Sequence, residues 1–246
     1  MLMFMKTIDI IENKIDKMPL NYIFTYSDFA IEDKCTSSII KSLNKLAKEG
    51  KITKLAKGKF YKSRSTKYGN TKPPAYEIVK DFIEKDGKLI GYLTGYAIYS
   101  DLGLTTQISN KIQIGTNKYR RTLKRDKYTI SFVVQSNHIT KDNYELLQIL
   151  DSMRFIKDIP ASRPDEVCER LKWFVAQLSP QKKITIINLS LKYTDFVRAL
   201  LGAILENMNT EPQLFDKLKK SLNEISEYKL GISETTLPTV KNWRIR

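Results

Sequence analysis

The sequence predicts an α+β protein: an N-terminal winged helix-turn-helix domain, then a mixed α/β unit, then a mainly helical C-terminal layer. Three observations carry this. Residues 1–63 read, in order, as helix, short helix, basic-faced helix and basic hairpin. Residues 64–74 are polar and basic and end in Pro73-Pro74, a composition that builds no core and marks a boundary. From Asp142 onward the apolar spacing changes from strand-like alternation to steps of three and four. The expected organisation is a domain at 1–63, a linker at 64–74 and an effector domain at 75–246, itself divided into 75–140 and 141–246.

Each N-terminal element has a local cause. Ile8, Ile11, Ile15 and Met18 give one apolar face to a helix over 7–17, which Pro19 stops. Thr25 is placed to cap a short helical segment, with Phe24 packing on Phe29. Thr36, Ser37 and Ser38 offer N-cap hydroxyls to the next helix. Its buried stripe is expected to be Ile39, Ile40, Leu43, Leu46 and Ala47, and Gly50 ends it as a left-handed residue. Lys51-Ile52-Thr53-Lys54-Leu55 and Lys59-Phe60-Tyr61-Lys62, joined by Ala56-Lys57-Gly58, read as a hairpin.

Beyond the prolines, a helix is expected from Ala75 to about Glu84, and strands at 89–93, 110–115 and 128–134. Thr94 would cap a short helix that Gly103 closes. Later helices follow from Asp142, from Ser162 as cap ahead of Pro164, from Ser179-Pro180, from Thr194 and over 213–225. Gly202 suggests a close helix–helix approach, and the tail at 237–246 suggests an edge strand packed through Trp243.

Charge narrows the class of partner. The 246 residues carry 42 Lys+Arg against 27 Asp+Glu, a net charge of +15 that favours a polyanion. Residues 41–72 hold 11 of these basic side chains and one acid, Glu49. No apolar run reaches the ~20 residues of a membrane-spanning helix. The start, MLMFMKTIDII, lacks the features of a secretory signal. Two cysteines, Cys35 and Cys168, make no disulfide framework, so a cytoplasmic location is expected.

The candidate site follows from the third helix and the hairpin. Thr36, Ser37, Ser38 and Asn44 are short donor/acceptor groups of the kind that read base edges, and Asn suits adenine. Lys41, Lys45, Lys48, Lys54, Lys57, Lys59 and Lys62 are phosphate candidates that would set register without reading sequence. A solvated face is the ordinary meaning of a lysine run, but such faces mix signs and this one is acid-free. A second cluster, Lys118, Arg120, Arg121, Lys124, Arg125 and Lys127, stays open between DNA contact, RNA binding and a solvated hairpin. The expected partner is double-stranded DNA.

No catalytic residues, metal site or cofactor are expected. The chain has no Walker A loop, no G-x-G-x-x-G and no nucleophile elbow. The cysteines lack metal-ligand spacing. Cys168 reads as packing and the single histidine, His138, as an incidental loop residue. Asp81, Glu84, Asp86 and Asp101 keep a metal-dependent nuclease as an alternative, although no D…E-x-K run supports it.

Several segments carry a resemblance. The N-terminal module through 52–61, Gly91-Tyr92-Leu93-Thr94-Gly95-Tyr96-Ala97 and Thr105-Thr106-Gln107-Ile108-Ser109-Asn110-Lys111 are three of them. Ile149-Leu150-Asp151-Ser152-Met153-Arg154, Arg198-Ala199-Leu200-Leu201-Gly202-Ala203 and the closing Trp243-Arg244-Ile245-Arg246 are three more. Together they resemble the AbiEi-like antitoxins of type IV toxin–antitoxin systems, specifically the DUF6088 group. The resemblance implies a transcriptional autorepressor whose winged helix binds its own operator, commonly an inverted repeat. It implies a second domain that counteracts a nucleotidyltransferase-type toxin, as in phage abortive infection, without a stable complex with that toxin. The DNA-reading role falls on residues 36–48; the resemblance places no antitoxin residues. Direct grip of a toxin by the second domain is the remaining alternative.

Overall fold

The computed structural model describes residues 6–29, 36–67, 69–208 and 210–246, and the chain is α+β. It folds as two units, Met1–Lys80 with Lys124–Tyr128, and Asp81–Leu123 with Thr129–Arg246.

In the first unit, α1 (Thr7–Asp16) buries Ile11 and Ile15, as its spacing requires. A two-residue strand β1 (Ile23–Phe24) leads into a 3-10 turn at Tyr26–Phe29. The Asp28 carboxylate closes that turn, accepting the Thr25 N–H at 2.7 Å and the Thr25 hydroxyl at 3.0 Å. Phe24 meets Phe29 edge-on with centroids 5.5 Å apart, so the expected contact forms. Helix α2 (Thr36–Lys48) ends in a Schellman motif. Gly50 sits at φ +75, its N–H bonds to the Ala47 carbonyl at 3.2 Å, and the Lys51 N–H reaches Leu46 at 3.0 Å. Strands β2 (Thr53–Ala56) and β3 (Lys59–Tyr61) form the hairpin. β1 adds to it antiparallel, Phe24 opposite Phe60, giving the order β1-β3-β2. Two residues are too few to show alternation, so the sequence did not reveal β1 as a strand. Ile11, Ile15, Phe24, Phe29, Ile39, Leu43, Leu46, Ile52 and Phe60 make the core.

The expected linker is structured. β4 (Ser65–Thr66) pairs with β5 (Gly69–Asn70). The Thr71 hydroxyl accepts the Arg64 N–H at 2.9 Å and donates to Asn21 Oδ1 at 3.0 Å, and Pro73 is buried. Side-chain hydrogen bonds therefore hold 64–74 to the first unit, and the division of the chain falls after Lys80 within α3 (Ala75–Ile83).

In the second unit, β6 (Glu84–Lys85) and β7 (Lys88–Leu89) form a hairpin around Asp86-Gly87, both at positive φ. The main sheet contains β8 (Gly91–Thr94), β9 (Lys111–Thr116), β10 (Leu123–Arg125) and β11 (Tyr128–Val134), in the order β10-β11-β9-β8; its residues Lys124, Arg125 and Tyr128 are counted with the first unit. β8 runs antiparallel to β9, while β9 and β11 are parallel. The segment between β9 and β11 is therefore a crossover and not a direct hairpin.

The helical layer contains α4 (Tyr144–Arg154), α5 (Pro164–Ala176), α6 (Pro180–Ser190), α7 (Asp195–Asn207) and α8 (Pro212–Lys220). Ser179 caps α6 as expected, accepting the Lys182 N–H at 3.3 Å. Ser162 does not cap α5: its hydroxyl bonds to the Leu104 carbonyl, and the N-terminus is instead closed by Glu166, whose Oε2 accepts the Arg163 N–H at 3.1 Å. The Thr94 hydroxyl likewise serves Asp151 at 2.7 Å and leaves the following 3-10 turn without a side-chain cap. α8 stops at Lys220, and Ile225 is 91% exposed. The tail forms a 3-10 turn at Val240–Trp243 and a single bridge between Tyr228 and Ile245 where an edge strand was expected. Gly202 makes its close approach to the Trp243 indole and not to another helix.

Candidate nucleic-acid interface

Helix α2 presents two unlike sides. Ile39, Leu43 and Leu46 are buried, while Thr36, Ser37, Lys41, Asn44, Lys45 and Lys48 are exposed and Ser38 is half-buried. No acid lies in the first turn of the helix itself. Ile40, expected in the buried stripe, is 41% exposed. It sits at the edge of the stripe, and the core ends at Ile39.

The polar side chains are more engaged than spacing alone suggested. Asn44 Nδ2 donates to the Ile40 carbonyl at 2.9 Å, and Lys54 Nζ from β2 reaches Asn44 Oδ1 at 3.5 Å. The amide is thus turned onto its own helix. Lys45 pairs with Glu49 at 3.8 Å, one turn on, so the face is not free of acids. Lys62 Nζ donates to the Asp16 carbonyl at 2.9 Å, a favourable place for a cation at the C-terminus of α1, and this removes it from the phosphate set. Lys51 pairs with Glu12, which raises its pKa. Lys54 and Lys57 are exposed on the hairpin and Lys59 is half-buried. Among the described residues, Lys41, Lys48 and Lys57 have no ion-pair partner.

The second basic cluster divides between the two units. Lys118, Arg120 and Arg121 fold with the second unit, and Lys124, Arg125 and Lys127 with the first. Arg125 is 6% exposed and donates to the Ile78 carbonyl, so it is a structural anchor and not a surface cation. Arg120 lies over the Phe82 and Phe132 rings at 5.3 and 6.0 Å. Lys127 stands beside Lys72, which lowers the Lys127 pKa, and over the Tyr128 ring at 5.2 Å.

The second unit holds a buried polar network that the sequence did not disclose. Asp151 accepts hydroxyl hydrogen bonds from Tyr92 and Thr94 at 2.7 Å and from Tyr193 at 2.9 Å. Gln135 Nε2 donates to Tyr92 at 2.9 Å and Tyr193 at 2.7 Å, and Asn137 Nδ2 donates to Gln135 Oε1 at 3.0 Å. Burial pushes the Asp151 carboxyl up, and the three hydroxyls oppose that shift. The one visible signal was an acid on the apolar side of α4. Cys168 is buried as packing, its thiol pushed up to about 12 by desolvation. Cys35 lies outside the described residues. Among the described residues no three His, Cys, Asp or Glu side chains are grouped to hold a metal, and no helix is long and apolar enough to cross a membrane.

These features define an α+β protein of two units whose first unit carries a cationic helix-and-hairpin face. The chain belongs to the DUF6088 family, a family of unknown function whose model matches residues 10–172. It is similar in fold to the Rv2827c protein of Mycobacterium tuberculosis. The TM-score is 0.56 at 12% identity, over 89% of this chain and 82% of that one. No curated protein matches it.

Proposed function

We propose that the first unit is a winged helix-turn-helix that binds duplex DNA and represses its own operon. The observation that carries this is the acid-poor, lysine-bearing side of α2 continued by the β2–β3 hairpin. Lys41, Lys45, Lys48, Lys54, Lys57 and Lys59 neutralise phosphates, while the first turn of α2 faces base edges. Six such contacts correspond to a slope near −5 in log affinity against log salt. By its resemblance to AbiEi-like antitoxins, the chain also counteracts a nucleotidyltransferase-type toxin, and that role belongs to the second unit.

The test is a gel shift on the chain's own upstream region. Lys41→Glu with Lys45→Glu abolishes binding if the proposal holds; an unchanged shift rejects it. For the antitoxin role, co-expression with the product of the neighbouring reading frame restores growth without the two co-purifying. A stoichiometric complex points instead to direct toxin binding.

A further inference from the structure

We propose that Ile40 reads sequence on this surface by packing its side chain against a thymine methyl group in the major groove. The inference rests on the DNA-binding reading above and adds to it the residue that sets base preference.

The starting observation is a misplaced apolar group. Ile40 is 41% exposed, whereas Ile39, Leu43 and Leu46 on the same helix are at most 4% exposed. Its neighbours one turn away, Thr36, Ser37 and Asn44, and the adjacent Lys41 are all exposed and polar. A branched aliphatic side chain in that setting is only partly covered and stands beside hydrogen-bonding and cationic groups. Those ammonium groups complement phosphate, which commits the occupant to a nucleic acid. Within the major groove the apolar feature that distinguishes one base from another is the thymine C5-methyl.

The state of Asn44 sharpens the assignment. Its amide would otherwise be the side chain best suited to adenine, but Nδ2 is used by the Ile40 carbonyl at 2.9 Å and Oδ1 is met by Lys54 at 3.5 Å. Discrimination on this side of α2 therefore falls to Ile40 together with the hydroxyl of Thr36.

The experiment uses the full chain. Duplexes are enriched from a randomised pool, and each thymine in the enriched site is then replaced by uracil, which deletes the methyl and leaves the pairing edge intact. One uracil is expected to weaken the wild type about fourfold, the value of one buried methyl. Ile40→Ala is expected to bind more weakly and to be indifferent to that same uracil. Tight selected binding that no uracil alters overturns the inference while leaving DNA binding in place. Failure to enrich any duplex overturns both. An Ile40→Ala variant with unchanged affinity but a smaller sedimenting species assigns Ile40 to a contact between two copies and also overturns it. Ile40→Val, which keeps the branched surface, retains uracil sensitivity if the fold is intact.

Discussion

The indole of Trp243 occupies the space that a side chain on Gly202 would need. A methyl built there stands 2.2 Å from Cη2 of the ring, inside any real contact distance. Gly202 lies in the most buried stretch of α7, between Leu201 and Ala203, and Trp243 is 1% exposed. The ring also donates its indole N–H to Glu206 Oε2 at 2.6 Å, so it cannot swing away without losing that bond.

Gly202→Ala is therefore expected to destabilise the second unit by about 1–3 kcal/mol, the usual cost of overpacking a filled core. At roughly 2–4 °C per kcal/mol for a chain of this size, the loss is visible in a thermal melt followed by tryptophan fluorescence. Combining it with Trp243→Leu should recover part of the loss, whereas additive effects would deny the contact.

Asp151 predicts a pH dependence with a definite sign. Burial raises its folded-state pKa, while the unfolded carboxyl titrates near about 3.9. Between those values the folded state holds more protons, so its stability falls as pH rises. Asp151→Asn does not titrate. Urea unfolding between pH 4 and 8 should show wild type losing stability relative to this variant as pH increases. The opposite trend would mean that the three hydroxyl bonds outweigh desolvation.

Arg125 tests the reassignment of the second basic cluster. Arg125→Ala removes a buried charge-assisted hydrogen bond to the Ile78 carbonyl and the packing of a buried side chain, and is expected to cost about 1–3 kcal/mol in an equilibrium melt. Lys124→Ala, one residue earlier and exposed, should stay within about 0.5 kcal/mol of wild type. Equal losses would place Arg125 back among the surface cations.

Cys168 should behave as an inert core thiol. In a Cys35→Ser background, a thiol reagent at pH 8 should label the folded chain more slowly than the urea-unfolded chain by on the order of a thousandfold. Rapid labelling of the folded chain would contradict its burial.

The elements most legible in the sequence are those whose causes are local. The spacing of Ile11 and Ile15 sets the buried side of α1, and Gly50 supplies the left-handed residue that ends α2. The Lys57-Gly58 turn between two β-prone runs makes the hairpin. Expectation and structure part where a local cause and a distant partner competed for one group. Ser162 and Thr94 are both sound caps by sequence, but each hydroxyl found a partner from a distant segment, the Leu104 carbonyl and the Asp151 carboxylate.

By itself the sequence determined the α+β class, the order of helix and hairpin in the first unit, and the placement of lysines along α2. These follow from periods of 3.6 and 2 and from backbone preferences that act within a few residues. Only the tertiary structure decided that Ile40 stays outside the core while Ile39 enters it, and that Arg125 turns inward to Ile78. It also decided that Asp151 gathers Tyr92, Thr94 and Tyr193 around one carboxylate. A local pattern states which side of an element is apolar. It does not state how wide a partner will cover that side, nor which polar group from far along the chain will meet it.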